Sequence, residues 1–313
     1  MKPQRIVILG GTGFVGSHVV PRLHADGHRI IILSRNRELH RDLAVLPRAS
    51  IVSADVHDRD VLRRHLAGAD AAINLVGILN ERGSDGSGFR KAHVELTETL
   101  VAACRAAGVA RLLQMSALRA GEGESFYLKT RGEAEALVRS SPLAWTVFRP
   151  SVIFGPGDGL FFRFANLLRR TPVLPLARAH AKFTPVYAGD VAAAFARAIA
   201  HPHTAAHTYE LFGPRVIELI ELVRWTARMI GRKRLIVPLP DALGGVQAYV
   251  GEWLPGKPIS RDNFRSLKLD SVGTNDGLAA LGIVATPMDV VMPALLGNQS
   301  WQRRLDRYRE GHA

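Results

Sequence analysis

The sequence predicts an α/β chain: a doubly wound parallel sheet followed by a smaller C-terminal α/β lobe. Three observations carry this. Short β-branched runs alternate with longer helix-periodic ones over the first 150 residues. A glycine triplet, Gly10, Gly13 and Gly16, falls between the first run of each kind. The size also agrees: 313 residues, 47% hydrophobic and 22% charged, suit one large unit with an appendage, and no repeat or long polar tract points to a solenoid or a disordered chain.

In order, the elements read as follows. "RIVILG" opens the sheet and "GFVGSHVVPRLHADG" is the first helix. "RIIILS", "VSADVHDRDVLRRHLAG" and "DAAINLVG" continue the alternation. "HVELTETLVAACRAAG", "RLLQMSA", "RGEAEALVRSS" and "AWTVFRP" complete it. Repeated βαβ units require parallel strands covered on both faces by helices, with a ligand crevice at the strands' carboxyl ends. After Pro150 the pattern loosens into Pro, Gly and aromatic residues. "TPVYAGDVAAAFARAIAHP" is expected to return to the main sheet, and short strands with amphipathic helices follow from about Tyr209.

The glycine triplet has the setting a dinucleotide site requires. The first glycine permits a sharp turn, the second lets backbone approach a pyrophosphate, and the third lets helix and strand pack closely. The phosphates then meet free N–H groups at a helix N-terminus. With Thr12, Phe14 and Val15 completing the loop, a Rossmann-type domain is expected over 1–154, joined by 184–204. Residues 155–183 and 205–313 would form the smaller substrate- or partner-binding lobe.

The choice of dinucleotide falls at the end of the second strand, where a carboxylate would hold the ribose diol of NAD. This chain has Ser34, Arg35, Asn36 and Arg37 there. Two guanidiniums suit a 2′-phosphate, so NADP(H) is the preferred cofactor and NAD(H) the second; a solvated basic turn is the plain alternative. Asp55 and Val56, after the third strand, are placed for the adenine edge. Leu75, Val76 and Gly77 after the fourth strand, with Pro150 and Ile153 at the sixth, complete the expected cofactor contacts.

The formal charge is +13, from 41 Lys and Arg against 28 Asp and Glu. It favours an acidic partner: phosphates, nucleic acid or an anionic membrane surface. Arginine doublets stand at Arg63-Arg64, Arg169-Arg170 and Arg303-Arg304, but no aromatic-rich basic module accompanies them, which disfavours nucleic acid. The one cysteine, Cys104, lies among apolar neighbours in a helical run and reads as core. No window is apolar enough to span a bilayer, and the N-terminal apolar run is too short for a signal peptide. A cytoplasmic location is expected, with peripheral attachment at an inner membrane left open.

With these residues in place, the chain resembles the short-chain dehydrogenase/reductase superfamily over nearly its whole length. The glycine spacing is that of its extended and atypical branches, and "FRPSVIFGPGD" is similar to the signature of the NAD-dependent epimerase/dehydratase group. More narrowly, "FTPVYAGDVAAAF" and "PLPDALGGVQAYVGEWLPGKPISRDNFRSL" resemble bacterial relatives of the dehydrogenase-like accessory subunit of respiratory complex I. That resemblance implies NADPH held as a structural or sensing element, and an association with a membrane-linked respiratory or quinone-biosynthesis complex.

The resemblance also implies a catalytic set: a Ser or Thr after the fifth strand, a Tyr general acid/base, and a Lys four residues on that lowers the phenol's pKa and holds the nicotinamide ribose. Ser116 and Tyr127 match the first two. The third position holds Arg131. Arginine keeps the charge but not the compact ammonium's ribose contacts. Lys129, two residues from Tyr127, falls on another helix face. Tyr127 and Arg131 read equally well as an exposed i,i+4 pair.

Several further features take plain readings. His201, His203 and His207 read as a solvated loop, and no metal site is expected. Gly155, Pro156 and Gly157 read as a tight turn, Arg149 as its support, and Asp190 as a helix N-cap. Leu243, Val246, Val250, Trp253 and Leu254 recur at helical spacing; lobe core is the first reading and a partner-facing helix the second.

Two principal functions follow. One is an NADP(H)-binding protein whose cofactor serves structure or redox sensing in a respiratory or quinone-linked setting. The other is an active NAD(P)-dependent oxidoreductase or sugar-nucleotide epimerase/dehydratase using Tyr127 and Ser116. A nucleic-acid binder is a third, carried by charge alone.

Overall fold

The computed structural model describes residues 2–39, 45–254 and 257–297; the Arg303-Arg304 pair lies outside them. In chain order the main elements are β1 (Arg5–Leu9), α1 (Gly16–Ala25), β2 (Arg29–Ser34), β3 (Ala49–Ser53), α2 (Arg59–Leu66), β4 (Ala71–Asn74) and α3 (Ser87–Arg90). Next come α4 (Leu96–Ala107), β5 (Arg111–Met115), α5 (Phe126–Arg139), β6 (Ala144–Pro150), β7 (Ile153–Phe154), α6 (Leu160–Arg170), β8 (Val173–Leu176), β9 (Lys182–Phe183) and β10 (Val186–Tyr187). The remainder are α7 (Ala188–Ala200), β11 (His207–Leu211), β12 (Ile217–Glu218), α8 (Leu219–Met229), β13 (Leu235–Pro238), α9 (Asp241–Gly251), α10 (Arg261–Ser266), α11 (Gly277–Ala280) and α12 (Met288–Leu296).

The chain divides into two compact units. The first comprises Met1–Pro150, Ala188–Leu211 and Gly273–Val284. It holds a seven-stranded, all-parallel sheet in the order β11-β6-β5-β4-β1-β2-β3. The order reverses between β1 and β4, the switch point at which a Rossmann-type sheet opens its ligand crevice. Ile6, Val7, Ile8 and Leu9 are fully buried, as expected of a central strand covered on both faces. One side of the sheet buries Val7, Leu33, Leu62, Leu66, Leu100 and Cys104 together. Burial raises the Cys104 thiol to about 12, the environment of a core residue.

The second unit comprises Ser151–Tyr187, Phe212–Val272 and Ala285–Ala313. Its strands form three two-stranded pairs: β7 with β10 and β8 with β13, both parallel, and β9 with β12, antiparallel. Phe154, Phe161, Leu222, Val223 and Trp225 centre its core. The Gly155-Pro156-Gly157-Asp158 segment is a turn, closed by Asp158 N–H to Gly155 O at 3.1 Å; the Asp158 carboxylate then accepts the Phe161 N–H at 2.7 Å at the start of α6.

Three expectations need correction. The strand that returns to the main sheet is β11, not the one in 184–187: β10 is two residues long and pairs with β7 in the second unit, whereas β11 runs in register with Thr146–Pro150 for five residues. Asp190 lies inside the first turn of α7 rather than preceding it, and is buried. Leu243, Val246, Val250 and Leu254 are not core; each is more than half exposed, and Trp253 is 78% exposed.

Candidate dinucleotide-binding site

The expected site residues of the first unit lie at or just beyond the carboxyl ends of parallel strands, except Tyr127 and Arg131, which lie on α5, the helix after β5. The glycine loop leaves β1 through Gly10, whose φ of +75° an L side chain rarely adopts. A Cβ on Gly10 would come within 2.9 Å of the Val76 N, so the loop after β1 lies directly against the loop after β4. On Gly16 a Cβ would fall onto the Gly11 backbone, and this is what lets α1 start so close to the strand. Gly13 differs: its Cβ position meets only Gly10 O, at 3.3 Å.

This start of α1 fits an anionic group. Val15 supplies no side-chain cap, and the first turn carries no acidic side chain. Gly13 N–H turns back to Gly10 O and Ser17 N–H to Gly13 O, and neither the Phe14 nor the Val15 N–H is taken up among the described residues. Unclaimed N–H groups at the positive end of a helix, with no carboxylate to compete, suit the pyrophosphate of a dinucleotide.

At the end of β2, Ser34 is buried and its hydroxyl donates to Asn36 O at 3.4 Å. Arg35 and Arg37 are both exposed. Arg37 Nε lies 2.9 Å from Glu38 Oε1, a solvent-exposed ion pair. Glu38 thus competes for one of the two cations expected to meet a 2′-phosphate. Asp55 and Val56 follow β3, where Asp55 Oδ1 accepts the His57 N–H at 2.9 Å. Pro150 ends β6 and receives the Leu118 N–H at its carbonyl at 3.0 Å. Ile153 lies on β7, in the second unit.

Ser116 and Arg131 are buried, at 3% and 5% exposure, and Tyr127 is half-buried. Arg131 is therefore no member of an exposed helical pair. From α5 its Nη1 donates to Val76 O at 3.2 Å and to Met115 O at 3.0 Å, tying the loop after β4 to the end of β5. Its Nη2 fills the space above Gly77, where a side chain would collide with it. The guanidinium also lies 5.5 Å from the Tyr127 ring centroid. Ser116 N–H donates to Phe148 O at 2.7 Å, while its Oγ is buried without a hydrogen-bond partner among the described residues.

The Tyr127 ring also meets His93, edge to face, at 5.6 Å between centroids. His93 lies in a π-helical turn, Lys91–Glu95, and is 1% exposed. The Thr130 hydroxyl donates to Phe126 O at 2.7 Å, so across the 2.8 Å contact it accepts from His93 Nδ1. Nε2 is then the bare nitrogen, facing the Ile78 N–H at 3.4 Å. Burial, helped by the Arg131 charge, lowers the imidazole to about 2, so it is neutral at physiological pH.

Sequence reasoning missed His93, whose i,i+4 relation to Thr97 looks like any helical pair. It also missed the amide bridge from Asn74 Nδ2 to Gln114 Oε1, at 3.0 Å, which joins the ends of β4 and β5. Arg149, expected to support the 155–157 turn, instead clasps the buried Glu135 at 2.8 and 2.6 Å, and Arg139 joins the same carboxylate at 2.6 Å. The spacing of Arg131, Glu135 and Arg139 by four gave a partial signal. Arg149, from β6, could not be paired with them from sequence.

This fold and loop define an NAD(P)-binding Rossmann-type protein. A family model described as NAD(P)H-binding matches residues 10–161. Subunit 9 of the NADH dehydrogenase (ubiquinone) 1 alpha subcomplex, mitochondrial, from Mus musculus is 28% identical over 90% of this chain and 77% of its own length. A ceramide reductase from Caulobacter vibrioides is 30% identical over 75% of this chain and 74% of its own length. The fold is shared with UDP-glucose 4-epimerase of Thermus thermophilus, solved with NAD: TM-score 0.65, 22% identity, 83% of this chain and 99% of that one. The chain belongs to the NAD(P)-binding short-chain dehydrogenase/reductase family.

Proposed function

We propose that this is an NADP(H)-binding short-chain dehydrogenase-like protein whose cofactor serves structure or redox sensing. In this reading it works with a complex I-like or quinone-linked assembly at an inner membrane, and its second unit is the partner-binding lobe. The observation that carries the reading is Arg131. At the position where the family's enzymes hold lysine, this chain has a buried guanidinium already committed to the carbonyls of Val76 and Met115. A ribose-holding ammonium is replaced by a strut between the loop after β4 and the end of β5. The relatives named as subunits of NADH dehydrogenase (ubiquinone) and of NADH-ubiquinone oxidoreductase support the same direction. The 2′-phosphate preference is supported by Arg35, and tempered by Glu38 beside Arg37.

A second reading, an active reductase, is favoured by Ser116, whose buried Oγ has no partner among the described residues and could meet a substrate carbonyl. Relatives named ceramide reductase and 2-alkyl-3-oxoalkanoate reductase agree with it. Tyr127→Phe separates the two. For a binding module, nucleotide retention and thermal stability stay unchanged and wild type shows no carbonyl-dependent NADPH oxidation. An enzyme loses turnover by about 10²-fold or more.

A further inference from the structure

Helix α9 has its apolar pattern reversed. Gly244, Ala248 and Gly251 face inward, and a Cβ on Gly244 would lie 2.8 Å from the Phe264 ring, on Gly251 2.5 Å from Ile259 O. The helix is therefore seated flush and cannot roll to hide its large residues. Leu243, Val246, Tyr249 and Val250 face out from it, and Leu254 and Trp253 follow at its end, Trp253 at 78% exposure. Globular helices do the opposite. In the same unit, the β8–β13 pair leaves Val173, Leu235 and Val237 exposed.

Cations border these surfaces. Arg169 and Arg170 close α6 just before β8, and Arg232 and Lys233 precede β13; all four are exposed, and the Leu235 N–H to Pro172 O bond, at 3.1 Å, brings the two segments together. By α9, Arg261 lies 5.5 Å from the Tyr249 ring, held at 2.9 Å by Glu252, and Arg163 reaches Pro258 O at 3.4 Å.

We infer that the second unit docks on an anionic phospholipid surface through the outer face of α9, with the β8–β13 edge and its arginines beside it. Trp253 and Tyr249 are the residue types that settle at the headgroup level, and the basic side chains meet anionic headgroups while the aliphatic ones enter the acyl boundary. A second copy of this +13 chain fits less well, since docking would bring like charges together. No described helix is long and apolar enough to cross a membrane, so this is a surface contact. The inference deepens the membrane part of the proposed function and does not depend on its cofactor part.

Flotation of the full chain with phosphatidylcholine vesicles, with and without phosphatidylglycerol, tests it. Binding is expected only with phosphatidylglycerol, and is expected to weaken as salt is raised. The double variant Val250→Ser/Trp253→Ser, altered only at exposed positions, should bind about tenfold or more weakly, and Arg232→Gln/Lys233→Gln should flatten the salt dependence. Unchanged binding by the first variant, no binding to anionic vesicles at low salt, or a sedimenting dimer that shields Trp253 from an aqueous quencher would overturn the proposal. NADPH binding is measured on the same samples. Lost flotation with NADPH retained removes the lipid surface alone, and the converse removes the cofactor reading alone.

Discussion

Replacing His93 by glutamine should remove a large part of the acid sensitivity of the first unit. The buried imidazole, in contact with Thr130, Ile78 N–H, Tyr127 and, through charge, Arg131, titrates at about 2, against about 6.5 in the unfolded chain. Below pH 6.5 the unfolded state takes up a proton that the folded state refuses, so stability falls as pH falls. Each unit of pH costs about 1.4 kcal/mol, and from pH 7 to pH 5 the loss from this one residue is about 2 kcal/mol. Urea unfolding followed by circular dichroism at the two pH values reads it directly. His93→Gln is expected to lower stability at pH 7 through altered packing, yet to lose about 2 kcal/mol less than wild type on going to pH 5. Equal pH dependence in the two proteins would refute the neutral, buried imidazole.

Other perturbations test neighbouring parts. Glu135→Gln should cost about 2–3 kcal/mol in urea unfolding, below the value for a fully buried pair because Arg139 is 41% exposed. Gly77→Ala displaces the Arg131 guanidinium from its two carbonyls and should cost about 1–3 kcal/mol. Gly16→Ala, with a Cβ against the Gly11 backbone, should abolish nucleotide binding and lower Tm in calorimetry. Cys104, buried with its thiol raised to about 12, should react with an aromatic disulfide reagent only when urea unfolds the chain.

Much of the first unit was legible because parallel strands leave strong marks: continuous β-branched runs, separated by helix-length segments and broken by glycine. The glycine loop was readable for the same reason, whereas Ser116 and Tyr127 were singled out by the family resemblance and lie directly after β5 and in the first turn of α5. What was hidden depends on distance in the chain. Arg131 shows a charge in the sequence but not its direction, and only folding reveals that it turns inward to Val76 and Met115. Glu38, next in the chain after the basic turn, was not weighed in the sequence, and only the folded turn shows its carboxylate beside Arg37. The segment around Val186 read as a returning strand because local pattern does not say which neighbour a two-residue strand will choose. In α9, helical spacing identified the apolar face correctly but not that small residues on the other face would take the inward position.

Titration calorimetry of NADPH and NADH against wild type and Arg35→Ala tests most directly the proposed dinucleotide at the glycine loop with its 2′-phosphate on Arg35. Wild type should bind NADPH about tenfold or more tightly than NADH, and Arg35→Ala should erase that difference while leaving NADH affinity unchanged. Equal affinity for the two in wild type, or a preference that survives Arg35→Ala, would contradict it.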